Sequence, residues 1–182
     1  MGIIGGFENA RRPPMLLFLN IDCVLDVPSD AAGPGGGGAV GLRRLESVLQ
    51  AWPRWGVVVT SERRYRMTLE HFRHFFSADL RPRVVATTPL YDRRLPDAPC
   101  VRQDEVLDHL ARHAPGAPWV AVDARASDYP RAGWRLVCCE SFTEPAAAAL
   151  LRALSRAACE PRVRTRPPPA CAAPGAWHAR AG

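Results

Sequence analysis

Near its start the chain carries the string Met-Leu-Leu-Phe-Leu-Asn-Ile-Asp-Cys-Val-Leu at 15–25. Five apolar residues without a polar break leave no face for water. They read as a strand covered on both sides, the pattern of a parallel sheet. An extended backbone over about 15–21 puts Asn20 and Asp22 on one side at the strand's exit, because side chains repeat every two residues. In open parallel α/β folds, the C-terminal ends of strands are where ligands bind.

The rest of the chain repeats this grammar. A helix is expected at about 40–51, with Val40, Leu42, Leu45, Val48 and Leu49 on one face and Trp52-Pro53 as its stop. Residues 56–61 read as a second buried strand ending in Thr60 and Ser61. A helix at about 65–76 carries Met67, Leu69, Phe72, Phe75 and Phe76. Strands follow at 84–86, at 119–123 with Asp123 as the last residue, and at 135–139. Helices fall at 102–113 and 144–158. The order β-α-β-α-β-α-β-β-α predicts a three-layer α/β sandwich with a central parallel sheet. Residues 26–38, with Pro28, Pro34 and four glycines at 35–38, read as a flexible flap. They are too few to hold an inserted cap domain, and so is the Pro-rich loop 87–100. The domain is expected over 15–158, after a loose lead-in at 1–14. An Arg-, Pro- and Ala-rich tail at 159–182 without periodicity is expected to be disordered.

No run of apolar residues is long enough to span a bilayer, and no secretory signal precedes the first strand, so a cytoplasmic protein without membrane partners is expected. The formal net charge is +6, and all 24 basic residues are arginine. A basic chain is a candidate nucleic-acid binder. Absence of lysine beside abundant Ala, Arg, Gly and Pro is the mark of coding bias, the plainer reading of that charge. The six cysteines form no Cys-x-x-Cys pair and have no histidine at zinc spacing; they read as free thiols, with Cys138-Cys139 at a buried strand end.

Three strand exits are thus polar: Asn20/Asp22, Thr60/Ser61 and Asp123. Parallel strands point the same way, so these groups meet at one edge. Carboxylates with a hydroxyl there suit Mg²⁺ and phosphate. The string around Asn20 resembles motif I of the haloacid dehalogenase (HAD) superfamily, Asp-x-Asp-Gly-(Val/Thr)-(Leu/Val). Asn20 stands in place of the nucleophilic aspartate and Cys23 in place of the glycine. Thr60-Ser61 resembles motif II. Asp123 with Asp128 is similar to motif IV, with Ala124 where a paired acid would stand. The runs at 57–63, 102–106 and 119–123 look like a small capless branch that includes the HAD domains of RNA-repair proteins.

That resemblance implies Mg²⁺-dependent phosphoryl chemistry, with residue roles carried over by position. Asp22 matches the general acid/base and Ser61 or Thr60 the phosphate-binding hydroxyl. Asp22, Asp123 and Asp128 match the metal ligands, and Arg102 or Arg94 stands in for the motif III cation. An amide is a far poorer nucleophile than a carboxylate. Two functions follow: a HAD-like phosphatase with weak, altered or lost activity, or a non-catalytic module binding a phosphorylated ligand, RNA or a protein. Plainer readings stand beside these. Asn20 and Asp22 could cap a strand end, and Ser61 could cap the helix after it. The cluster Glu62-Arg63-Arg64-Tyr65-Arg66 reads as a solvated helix face that could touch RNA. The pairs His71/His74 and His109/His113 read as exposed helix positions, not as metal ligands.

Overall fold

The computed structural model describes residues 15–25, 37–90 and 101–160. The expected lead-in, most of the flap, Arg94 and the tail beyond 160 lie outside the described residues. Five strands form one all-parallel sheet: β1 (Met15–Leu19), β2 (Trp55–Val59), β3 (Val84–Thr87), β4 (Trp119–Asp123) and β5 (Leu136–Cys138). Their order across the sheet is β3-β2-β1-β4-β5. The chain therefore builds outward from β1 on one side, then crosses back to lay β4 and β5 on the other. The reversal falls between β1 and β4, the kind of junction where such sheets open a crevice at their C-terminal edge.

Burial explains why β1 sits in the middle. Leu17 and Leu19 point into one core and Leu16 and Phe18 into another, all nearly inaccessible to water. The first core is closed by α2 (Gly37–Ala51), α3 (Leu69–His74) and α5 (Glu144–Cys159). The second lies under α4 (Val101–His113) and the segment holding Tyr129 and Ala132. Full burial of each Leu or Phe contributes about 1.5–3 kcal/mol. The expected three-layer sandwich is therefore present. No helix among the described residues is long and apolar enough to cross a membrane.

Several local expectations are corrected. β1 ends at Leu19, and Asp22 opens a single helical turn, α1 (Asp22–Leu25), so Asn20 and Asp22 do not share an extended backbone. No described residue other than glycine has a positive φ. Cys23 thus sits in ordinary helical backbone, with no strain to favour a glycine there. The glycine run does not stay wholly in the flap, since Gly37 and Gly38 open α2. Gly41 is the close approach: a Cβ there would lie 2.6 Å from the Val24 carbonyl oxygen of α1.

The helix expected over 65–76 shrinks to Leu69–His74 because Thr68 caps it. Thr68 and His71 form a reciprocal box, each side chain accepting from the other's backbone N–H, and a 3₁₀ turn, Glu62–Tyr65, precedes it. Arg83 closes the other end of this layer. Its guanidinium donates to the carbonyls of Leu49 (2.6 Å) and Trp52 (2.7 Å), at and just beyond the C-terminal end of α2, adding to the backbone N–H that each already accepts. Cys138 is exposed and Cys139 half-buried, so β5 does not end in buried thiols as expected. His109 is not exposed either: it is buried, with its ring edge-on to Phe18 at 5.7 Å.

Candidate functional site

The polar exits meet as the sheet order requires. Asn20 N–H donates to the Val122 carbonyl (2.9 Å), and Thr60 N–H donates to that of Leu19 (2.9 Å), so the ends of β1, β2 and β4 are laced side by side. Asn20 is buried. Its side-chain oxygen accepts from the Asp22 N–H (3.3 Å), a local Asx turn that bends the chain out of the strand. Its amide N–H donates to Asp123 Oδ1 at 3.2 Å. That same oxygen accepts from the Arg125 N–H (3.2 Å), while Asp123 Oδ2 is buried with no hydrogen-bond partner.

Asp22 turns toward β2. Ser61 Oγ donates to Asp22 Oδ2 at 2.7 Å and accepts from the Arg63 N–H at 3.1 Å. Ser61 is thus both the cap of the Glu62–Tyr65 turn and a partner of the motif I acid. The Arg63 guanidinium closes on Asp22 Oδ1 as an ion pair. Both carboxylate oxygens of Asp22 are therefore occupied by groups of this chain.

Behind this front lies a buried polar layer. Arg64, expected on a solvated face, is buried. It pairs with Glu105 of α4 and donates to the Ser61 carbonyl (2.8 Å). Glu105 also receives Thr88 Oγ1 at 3.4 Å and has Arg102 at 3.9 Å. Such a pair adds little net stability, because desolvation offsets its attraction, but fixes the turn after β2 to α4 through ionic geometry. Arg102 is buried as well. It reaches Glu62 at 3.5 Å, and Glu62 in turn receives Arg125 at 3.4 Å.

Among the buried donors of this layer, Arg102 Nη1 has only its 3.9 Å ion pair with Glu105, and Thr60 Oγ1 and Tyr129 OH have only each other as neighbouring side-chain partners. Burial, and then the negative charge of Asp123, hold the Tyr129 phenol far above its usual pKa, with Arg102 opposing them. Tyr129 is therefore a protonated donor beside Thr60, Arg102 and Asp123. Next to Asp22, the Cys23 thiol is held protonated by its hydrogen-bonding contact with Cys139 and by burial.

Of the residues expected from sequence, Asn20, Asp22, Thr60, Ser61, Arg102 and Asp123 come together at this edge. Asp128 ends the 3₁₀ turn Ala126–Asp128, half-buried, after the loop that leaves β4. Arg94 lies outside the described residues. Arg63, Arg64, Glu105 and Tyr129 are additions that the sequence reading missed. For Arg63 a signal existed, since it follows Ser61 by two residues; for the other three only the packing reveals the role. A groove of about 590 Å³ between β5 and α5, lined by Trp134, Val137, Cys139, Arg152 and Arg156 among others, contains none of the expected site residues.

The Mg²⁺ implied by the resemblance can be tested against these donors. Asp22 has both oxygens engaged, and Asn20 turns an N–H donor toward Asp123. Of the side-chain oxygens of Asn20, Asp22 and Asp123, Asp123 Oδ2 alone makes no hydrogen bond. Among the described residues no three His, Cys, Asp or Glu side chains are grouped to hold a metal ion. As arranged, the donors do not fit a divalent cation.

A parallel sheet with this strand order and these polar exits defines a Rossmannoid α/β domain of the HAD type. Residues 16–147, well over half the chain, match the family described as the HAD domain in Swiss Army Knife RNA repair proteins, and the chain belongs to that family. Comparison with curated proteins and with solved structures found no match.

Proposed function

We propose that this domain binds a phosphorylated ligand at the edge where β1, β2 and β4 end, and does not hydrolyse it. Asn20 carries the reading. It occupies the nucleophile's place with an amide whose oxygen and nitrogen are both committed, to the Asp22 N–H and to Asp123. An amide so held has neither the charge nor the freedom to attack phosphorus. Without a covalent intermediate, Asp22 has no leaving group to protonate, and its bonds to Ser61 and Arg63 make it a structural anchor. The donors of Thr60, Arg102 and Tyr129, without a full set of hydrogen bonds among themselves, are the kind of group an anionic oxygen needs, one of them a guanidinium.

The alternative is a slow Mg²⁺-dependent phosphatase. The donor set does not favour it, and it would need a nucleophile other than Asn20. The family's description as part of RNA repair proteins, with the chain's +6 charge, supports a phosphorylated RNA end as the ligand.

Two measurements on the wild-type chain test this. An oligoribonucleotide with a terminal phosphate should bind about tenfold tighter than the same strand without it, the discrimination of one good charge-assisted contact. Its affinity should fall as salt rises. Aryl phosphate should release no phenol, with or without Mg²⁺. Turnover that EDTA abolishes would replace this reading with the phosphatase, and equal binding of the two strands would remove the phosphate from recognition.

A further inference from the structure

We infer that Arg63 is the resident cation of this site, standing in for a divalent metal. The inference refines the phosphorylated-ligand reading and rests on it for the ligand, though not for the cation. The donor set that disfavours Mg²⁺ is the same set that holds Arg63. Ser61 binds the Arg63 backbone N–H (3.1 Å) and the Asp22 carboxylate (2.7 Å), so one hydroxyl orients both members of the ion pair. The Arg63 guanidinium then lies on Asp22 Oδ1, the oxygen Ser61 leaves open.

Charge supports the same assignment. With Asn20 neutral, Asp22 and Asp123 are the expected acids at the ends of β1 and β4, and Arg63 already neutralises the first. A divalent ion arriving beside Asp22 would meet a fixed positive charge and would have to displace a charge-assisted hydrogen bond.

The pair is also reachable. The Arg63 and Asp22 side chains are 39% and 31% exposed, whereas Arg102 is 2% exposed. Arg63 is thus the accessible guanidinium and Arg102 the buried one. A planar fork binds phosphate oxygens with defined geometry, which a hydrated Mg²⁺ does only by bringing its own waters. A phosphate monoester approaching the Asp22–Arg63 pair meets the Arg63 guanidinium first.

Calorimetric titration of the full chain tests the assignment, with MgCl₂ alone and with inorganic phosphate in the presence of Mg²⁺ or EDTA. The proteins are wild type, Arg63→Gln, and the double variant Asn20→Asp/Arg63→Gln, with thermal melts to verify folding. Wild type should give no saturable Mg²⁺ binding, and its phosphate affinity should be the same in Mg²⁺ and in EDTA. Arg63→Gln should weaken phosphate by about tenfold or more, the loss of a charge-assisted contact. The double variant, with two carboxylates and no guanidinium, should acquire saturable Mg²⁺ binding.

Saturable Mg²⁺ binding by wild type, or phosphate affinity that depends on Mg²⁺, would overturn the assignment. So would a folded double variant that still ignores Mg²⁺, because Arg63 and Asn20 would then not be what excludes the metal. Wild type that binds neither phosphate nor Mg²⁺, beside a double variant that does bind Mg²⁺, would sink the phosphorylated-ligand reading while supporting Arg63 as the cation.

Discussion

The Asn20 side chain donates to Asp123 and accepts from the Asp22 N–H. A carboxylate could make the second bond but not the first, and would set a second negative charge where Asn20 now lies 3.2 Å from Asp123 Oδ1. The surroundings are therefore built for an amide. Asn20→Asp should cost about 1–3 kcal/mol at neutral pH from like-charge repulsion. The sign with pH follows from linkage. Protonating either carboxylate removes the repulsion, so the penalty fades as pH falls toward 5. Melting curves of wild type and Asn20→Asp at pH 5 and pH 8 check this; a gap that is constant with pH would mean the two carboxylates do not face each other. Arg64 and Glu105 show the limit of residue-level reading. Arg64 read as a charge on a solvated helix face, yet it is buried against Glu105 because the turn after β2 meets α4.

At the scale of elements, α1 and α2 are held together through a missing side chain. Gly41 lies inside α2, where alanine would favour the helix by about 1 kcal/mol. A Cβ there meets the Val24 carbonyl oxygen at 2.6 Å, a backbone atom that cannot swing aside. Overpacking of this kind costs about 1–3 kcal/mol, so the clash should outweigh the propensity. Gly41→Ala should lower the urea midpoint, and Gly41→Val should lower it further. An unchanged or raised midpoint for Gly41→Ala would show that α1 yields easily. Because α1 begins with Asp22, its displacement should also disturb the Ser61 and Arg63 contacts. The same scale explains the shortened α3. Its apolar spacing runs back to Met67, but Thr68 and His71 form a cap that ends the helix by hydrogen bonding, which periodicity does not register.

For the molecule as a whole, one titration couples acid to stability. His109 is buried against Phe18 on the α4 side of the sheet. Burial lowers its pKa, His113 pushes the same way, and Asp108 opposes them. The unfolded chain therefore takes up a proton that the folded chain refuses. The stabilising contribution is complete above the ordinary imidazole value of about 6.5 and is lost as pH falls below it. His109→Leu should reduce the drop in melting temperature between pH 7.5 and pH 5.5. An identical drop in both proteins would assign the acid sensitivity elsewhere.

The division between what was legible and what was not follows the range of the forces. The apolar runs of β1, β2 and β4 and the residues that end them are local properties, so the sequence alone determined a parallel α/β sandwich, its polar strand exits and the amide in the nucleophile's place. Sheet order then decided which distant groups meet. Arg63 finds Asp22 and Arg64 finds Glu105, each across 41 residues. Tyr129 and His109 are taken out of water by the helix and turn that cover Phe18. A charge or a ring has the same letter whether exposed or buried. Its role is set by the desolvation and the partner that the tertiary structure imposes, and neither is written in the spacing of residues along the chain.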